Sequence, residues 1–304
     1  MTQSHSIKAA LMDIVGEANV LIDEWIRNHT YTKLGGKADY FVMPTSVEQV
    51  QAIVRLANRE QIPFTLLGNG SNLIVRDGGI RGIVMNLKQL NAIRHEGEYI
   101  IAQSGARIID TSYYALAQSL TGLEFACGIP GTVGGALYMN AGAYGGEIKD
   151  CLSEAVVIDR SGQILTLPAT DLALGYRTSN IPNHGYIVIE ARFALQPGDQ
   201  SEIKTIMDDL TERRESKQPL EFPSCGSVFK RPPGYFAGKL IQDSQLQGKG
   251  IGGAEVSTKH AGFIVNKNDA TAKDYIAVIE MVQEKVKEQF GVELECEVRI
   301  IGED

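Results

Sequence analysis

The chain has 304 residues, enough for two or three modest domains rather than one small core. Hydrophobic residues make up 43% and charged residues 22%, a globular balance that excludes a disordered chain. With 29 Lys plus Arg against 37 Asp plus Glu the net charge is -8, which argues against nucleic acid as a partner but leaves room for small anions held by local cations and backbone N–H groups.

The first residues, 1–24, mix polar and apolar side chains and have none of the marks of a secretory signal: no basic start, apolar run or small-residue cleavage site. Nowhere does an apolar run approach the ~20 residues of a membrane helix. Residues 46–60 predict a helix, with Ser46 and Gln49 in capping-box spacing and Val47, Val50, Ile53, Val54 and Ala57 on one stripe. A second helix is expected over 106–120, closed by Gly122, and a third is marked by Ile203, Ile206, Met207 and Leu210. Thr271 caps a fourth, with Ile276, Ile279, Val282 and Val286 inward and Gly291 at its end. Strands are expected at 38–42, 64–67, 83–86, 99–102, 154–159, 164–168, 187–195, 262–265 and 294–300. The pattern is that of an α+β chain with a strand-rich middle and a separate C-terminal unit from about 208 to 293.

Four cysteines, Cys127, Cys151, Cys225 and Cys296, lack the paired spacing of a zinc site or a disulfide framework. His29, His184 and His260 also lack metal-ligand spacing, so no metal is expected. Together these features predict a soluble cytoplasmic protein that binds neither membrane nor nucleic acid; oligomeric state stays open, a monomer included.

The 32 glycines are clustered. One group, Gly68-Asn69-Gly70-Ser71-Asn72, follows an apolar strand; the other runs from Gly128 through Gly131, Thr132, Gly134 and Gly135 and on to Gly142 and Gly145. Glycines leave backbone N–H groups uncovered and tolerate positive φ, so such loops can wrap a pyrophosphate; they can equally be tight turns between strands. Neither group is GxGxxG or a P-loop, so a nucleotide held here needs another fold.

Thr30-Tyr31-Thr32-Lys33-Leu34-Gly35-Gly36, Leu67-Gly68-Asn69-Gly70-Ser71-Asn72, Gly128-Ile129-Pro130-Gly131-Thr132-Val133-Gly134-Gly135, Gly175-Tyr176-Arg177-Thr178-Ser179, Cys225-Gly226-Ser227-Val228-Phe229-Lys230 and Glu297-Val298-Arg299 occur in this order over nearly the whole chain. Jointly they resemble the UDP-N-acetylenolpyruvoylglucosamine reductases, the bacterial MurB family. The resemblance implies a two-domain FAD-binding fold of the vanillyl-alcohol-oxidase (PCMH) type plus a smaller C-terminal α/β substrate-binding domain. It implies boundaries at 1–75, joined by a final strand at 294–304, then 76–207, then 208–293. It also implies noncovalent FAD, NADPH as hydride donor, and a UDP-sugar substrate whose enolpyruvyl group is reduced for peptidoglycan synthesis. No room exists between Ile187 and Ser227 for the tyrosine-bearing loop of the family's longer form, so the chain resembles the short, second type.

The implied reaction delivers hydride to C3 of the enolpyruvyl group and a proton to C2. An enol ether is not electrophilic by itself, so fixed positive charge must draw electron density toward the adjacent carboxylate. By the resemblance that charge is Arg177, the proton donor is Ser227, and Glu297 hydrogen-bonds the enol-like species. On pattern alone these are equally an arginine after a turn, a loop serine and one member of a charged stripe, Glu295, Glu297 and Arg299, facing away from Cys296, Val298 and Ile300. The cofactor set implied is Gly68, Asn69, Gly70, Ser71, Asn72, Gly128, Gly131, Thr132, Gly134, Gly135, Gly145 and Arg214. Tyr176, Lys230, Lys239 and Gln242 are implied for substrate. Cys225 reads as a packed residue, since no histidine flanks it. Two rivals stay open: another FAD oxidase or dehydrogenase of this fold, and a non-catalytic nucleotide-binding protein.

Overall fold

A computed structural model describes residues 2–304. Contacts group the chain into two units, one from residues up to Asp23, Asp39–Asn69 and Gly82–Glu212, the other from Glu24–Ala38, Gly70–Arg81 and Arg213–Asp304.

In the first unit the helix expected near 46–60 runs Val47–Arg59. Ser46 Oγ accepts the Gln49 N–H, while Gln49 Oε1 accepts from the backbone and hydroxyl of Thr45, so the reciprocal arm reaches one residue further back than a standard box. Val50, Ile53, Val54, Leu56 and Ala57 enter a core with Ile83, Met85, Ile187 and Ile189. A five-stranded antiparallel sheet follows the order Ile164–Pro168, Leu152–Ile158, Ile187–Ala194, Tyr99–Gln103, Ile93–Glu96. Ile100, Ala102, Ala191 and Phe193 pack into one core with residues of the helices Ile108–Ala117 and Val133–Tyr138. Alternating with Ala191 and Phe193 on their strand, Glu190 and Arg192 carry charge; Arg94 grips Glu190 through two bonds of 2.6 and 3.1 Å. This is the period of two that strand residues obey.

The second unit holds a four-stranded antiparallel sheet in the order Ser224–Ser227, Phe263–Asn266, Ala254–Val256, Gly250–Ile251. The helix Ala272–Phe290 packs Tyr275, Val278, Ile279, Val282 and Val286 into a core with Cys225, Val228, Val256 and Ile264. Its start is triply held. The predicted cap Thr271 forms a box with Asp274, and the Asp77 carboxylate accepts the N–H groups of Ala272 and Lys273 at 2.9 and 3.0 Å. Gly291, at φ +68°, ends it.

Three expectations change. Ile206 is 48% exposed while Ile203, Met207 and Leu210 are buried, so the stripe on the helix Gln200–Lys217 is narrower than read. The strand expected over 294–300 is broken in two: Cys296 makes an isolated antiparallel bridge to Phe229, and the continuous strand is only Arg299–Ile301, parallel to Leu73–Val75. The helix expected over 106–120 is confined to Ile108–Ala117. The helices Thr2–Val15 and Ala237–Asp243 and the strand Ser224–Ser227 had no clear sequence signal.

Candidate active site

The glycine-rich segments of the first unit lie against each other. Asn69 Nδ2 donates to the Pro130 carbonyl at 2.7 Å, and buried Asn86 donates to the Gly68 carbonyl at 2.9 Å. A Cβ on Gly68 would stand 3.0 Å from Thr132 Oγ1, and one on Gly134 would meet Ser104 Oγ at 2.0 Å. A side chain would crowd the facing hydroxyl at both positions, most of all at Gly134, where Ser104 would have to move. Thr132 caps the helix Val133–Tyr138 by accepting the Gly135 N–H, so Gly134 and Gly135 lie in its first turn rather than in a loop. The Gly131 carbonyl accepts the Ile108 N–H, while Gly128 borders this segment and Gly145, at φ +92°, lies on an exposed turn.

Arg177 belongs to the same unit. Gly175 and Thr178 exchange both backbone hydrogen bonds, at 3.0 and 3.2 Å, and close a tight turn in which Arg177 takes φ +55°. That left-handed conformation is strained for a residue with a long side chain, and the surrounding bonds hold it. The half-buried guanidinium donates from Nη2 to the Gly142 carbonyl at 3.0 Å and lies 5.4 Å from the ring centre of Tyr176, which is 54% exposed. One residue without a role in the sequence reading emerges here: Asn140, fully buried, whose side chain bonds the Gly175 carbonyl.

In the second unit, Gly70 takes φ +65°, and a Cβ there would meet the His29 carbonyl at 2.4 Å. The Gly70 carbonyl accepts the Tyr31 N–H; Ser71 follows, and Asn72 accepts the Arg299 N–H and donates from Nδ2 to the Glu297 carbonyl at 3.3 Å. The Thr32 hydroxyl is fully buried and makes no hydrogen bond among the described residues. Ser227 ends its strand, exposed, after a register break at Gly226, whose φ is +79°. The Glu297 N–H donates to the Val228 carbonyl at 2.8 Å, which places the half-buried Glu297 beside the serine strand. The Lys230 N–H donates to the Glu295 carbonyl and its ammonium pairs with the Glu295 carboxylate. Lys239 pairs with Asp243 on the helix Ala237–Asp243, where Gln242 is exposed. Arg214 is half-buried while Glu212, Arg213 and Glu215 around it are exposed, so the charge run is not uniformly solvated. Cys225 is closed in beside the Tyr275 hydroxyl at 3.3 Å, and burial pushes its thiol up to about 12; that agrees with a packed residue rather than a nucleophile.

The glycines of the first unit fit a dinucleotide cofactor, because they admit its close backbone approach. In the second unit, taken by itself, the buried Thr32 hydroxyl is a donor in want of an acceptor. Residues 38–168 match the FAD binding domain family. The fold agrees: the grass pollen allergen Phl p 4, with glucose dehydrogenase activity, superposes with a TM-score of 0.50 at 14% identity over 64% of this chain and 44% of that one. The class is thus an FAD-binding flavoprotein.

Residues 218–301 match the C-terminal domain of UDP-N-acetylenolpyruvoylglucosamine reductase. The reductase of that name from Oceanobacillus iheyensis is 69% identical, with 100% of this chain and 99% of that protein covered. The crystal structure of the Thermus caldophilus enzyme is similar at a TM-score of 0.80 and 30% identity, covering 92% of this chain and 99% of that one. This chain belongs to the UDP-N-acetylenolpyruvoylglucosamine reductase family.

Proposed function

We propose that the chain is an FAD-dependent reductase converting UDP-N-acetyl-3-O-(1-carboxyvinyl)-glucosamine to UDP-N-acetylmuramate with NADPH, in the bacterial cytoplasm. The observation that carries this is full-length identity of 69% to a reductase of that name. Bound FAD supplies the hydride chemistry; the chain supplies position and field.

In this reading Arg177 engages the enolpyruvyl carboxylate with two parallel hydrogen bonds, and its tight turn keeps the charge in place before substrate arrives. Ser227 hands its proton to C2, and the Glu297 carboxyl holds the developing enol-like oxygen. Gly68 to Asn72, Gly128, Gly131, Thr132, Gly134, Gly135, Gly145 and Arg214 hold the cofactor. Tyr176, Lys230, Lys239 and Gln242 serve the sugar nucleotide. Lys230 and Lys239 exchange partly exposed carboxylate partners for phosphate, an inexpensive exchange because surface ion pairs are worth about 1 kcal/mol or less. The three-part division, 1–75 with 294–304, 76–207 and 208–293, belongs to the same proposal.

The test is anaerobic reduction of the purified yellow protein with NADPH, followed by the enolpyruvyl sugar nucleotide. Reoxidation of the flavin with formation of the lactyl ether is expected. Reduction without reoxidation refutes the proposal, and FAD that stays attached after denaturation points instead to a covalent oxidase of the same fold.

A further inference from the structure

Asn140 lies in the first unit, fully buried, in a left-handed conformation at φ +46°. Its amide makes three hydrogen bonds. Nδ2 donates to Glu147 Oε2 at 2.8 Å and to the Gly175 carbonyl at 2.9 Å, and Oδ1 accepts the Lys149 N–H at 2.9 Å. Because the Gly175 carbonyl can only accept and the Lys149 N–H can only donate, these partners fix which end of the amide carries nitrogen.

Both partners of Nδ2 lead to Arg177. Gly175 is the base of the turn that carries it, closed by the exchanged Gly175–Thr178 bonds. Glu147 pairs in register with Gly142, and the Gly142 carbonyl receives the guanidinium at 3.0 Å. One buried side chain therefore ties the backbone that presents Arg177 to the hairpin that orients its charged end. Asparagine suits both demands of the position. It supplies two donors and an acceptor, and it tolerates the left-handed region better than most residues with a side chain.

We propose that Asn140 is a positioning residue for the reduction step, setting the direction of the Arg177 guanidinium without touching substrate. This rests on the reading of Arg177 given above. Aspartate at 140 could not donate and would face the Glu147 carboxylate and the Gly175 carbonyl, so the turn would lose its anchor. Misplacing a catalytic charge by about 1 Å can slow a reaction about 100-fold, so the effect should appear in the step that uses Arg177 and in no other.

The experiment is a double-mutant cycle on the holoenzyme with Asn140→Ala and Arg177→Ala, read by stopped flow in both half-reactions. Asn140→Ala should slow reoxidation of the reduced flavin by the enolpyruvyl substrate about 10-fold or more, with flavin reduction by NADPH within about twofold of the parent. In the Arg177→Ala background the same change should have almost no further effect, since the group it positions is gone. Additive losses, or equal slowing of both half-reactions, overturn the inference. If Arg177→Ala leaves reoxidation fast, the assignment of Arg177 fails instead. Should Asn140→Ala not bind FAD, Asn140→Ser, which keeps a short polar side chain, enters the same cycle; additivity there overturns the inference equally.

Discussion

Arg177 and Ser227 supply the fixed positive charge and the proton of the proposed chemistry, and their own units hold them in opposite ways. Arg177 is half-buried, fixed in a strained turn by backbone bonds on both sides and by a carbonyl at its tip. Ser227 is exposed at the end of a strand, beside a glycine that breaks the register. A permanent cation acts by being already in place, so rigidity serves it. A hydroxyl that gives up its proton in each turnover must recover one from water, so exposure serves it. Pre-organisation and access are conflicting demands, and this chain assigns them to different residues.

The sharpest test of that contrast is Ser227→Ala. It should slow the second half-reaction about 10³-fold and leave flavin reduction by NADPH nearly intact; stopped-flow traces with both halves equally slowed would break the comparison. Arg177→Lys keeps the charge but loses the planar fork, and a loss of about 10²-fold in the same step is expected, with little change in FAD content. Next in size is Gly226→Ala. A Cβ there meets nothing within 4 Å, so only the φ of +79° opposes it. The loss should be about 1–2 kcal/mol in denaturant unfolding, with reoxidation slowed because Ser227 is re-aimed.

Thiol chemistry asks how far the openness at Ser227 extends. Cys225, two residues away, and Cys151 in the other unit are both buried and pushed up to about 12. Neither should react with iodoacetamide at pH 8 in the native protein, whereas denatured protein should lose all four thiols. Labelling of Cys225 alone would show that the serine strand opens. The smallest effect concerns His260. Burial lowers its pKa from 6.5, and its Nδ1 accepts the Gly262 N–H. The unfolded chain therefore takes up a proton near pH 6.5 before the folded one does, and stability falls as pH drops below that value. His260→Gln should flatten that slope in melting midpoints measured against pH.

The most legible parts of the sequence were those whose causes are local. The helices Val47–Arg59 and Ala272–Phe290 announce themselves through caps and stripes within their own spans, and so does Gly291 at the end of the second. Ile206 misled because the width of a buried stripe depends on what covers it, and the neighbours that cover Ile203 and Met207 leave Ile206 in solvent. The 294–300 segment misled for a related reason. Its alternation is real, with Leu294 and Val298 buried and Glu295 and Arg299 exposed, but its two ends pair with different neighbours, Cys296 in an isolated bridge to Phe229 and Arg299–Ile301 in a ladder with Leu73–Val75, so no single strand spans it.

For the site, the order of short motifs along the chain was enough to point to the family and to the residue types its chemistry needs. What the sequence by itself determined is therefore the inventory: the glycines, an arginine, a serine, a carboxyl, and the helices with local start and stop signals. Only the tertiary structure decided how each is held: Arg177 at positive φ, Glu297 bonded to the serine strand through Val228, and Asn140 joining Gly175 to Glu147. Capping and periodicity act over three or four residues and can be read from them. The hydrogen bonds that aim a catalytic group join segments far apart in the chain, and their energy exists only once folding has buried both ends.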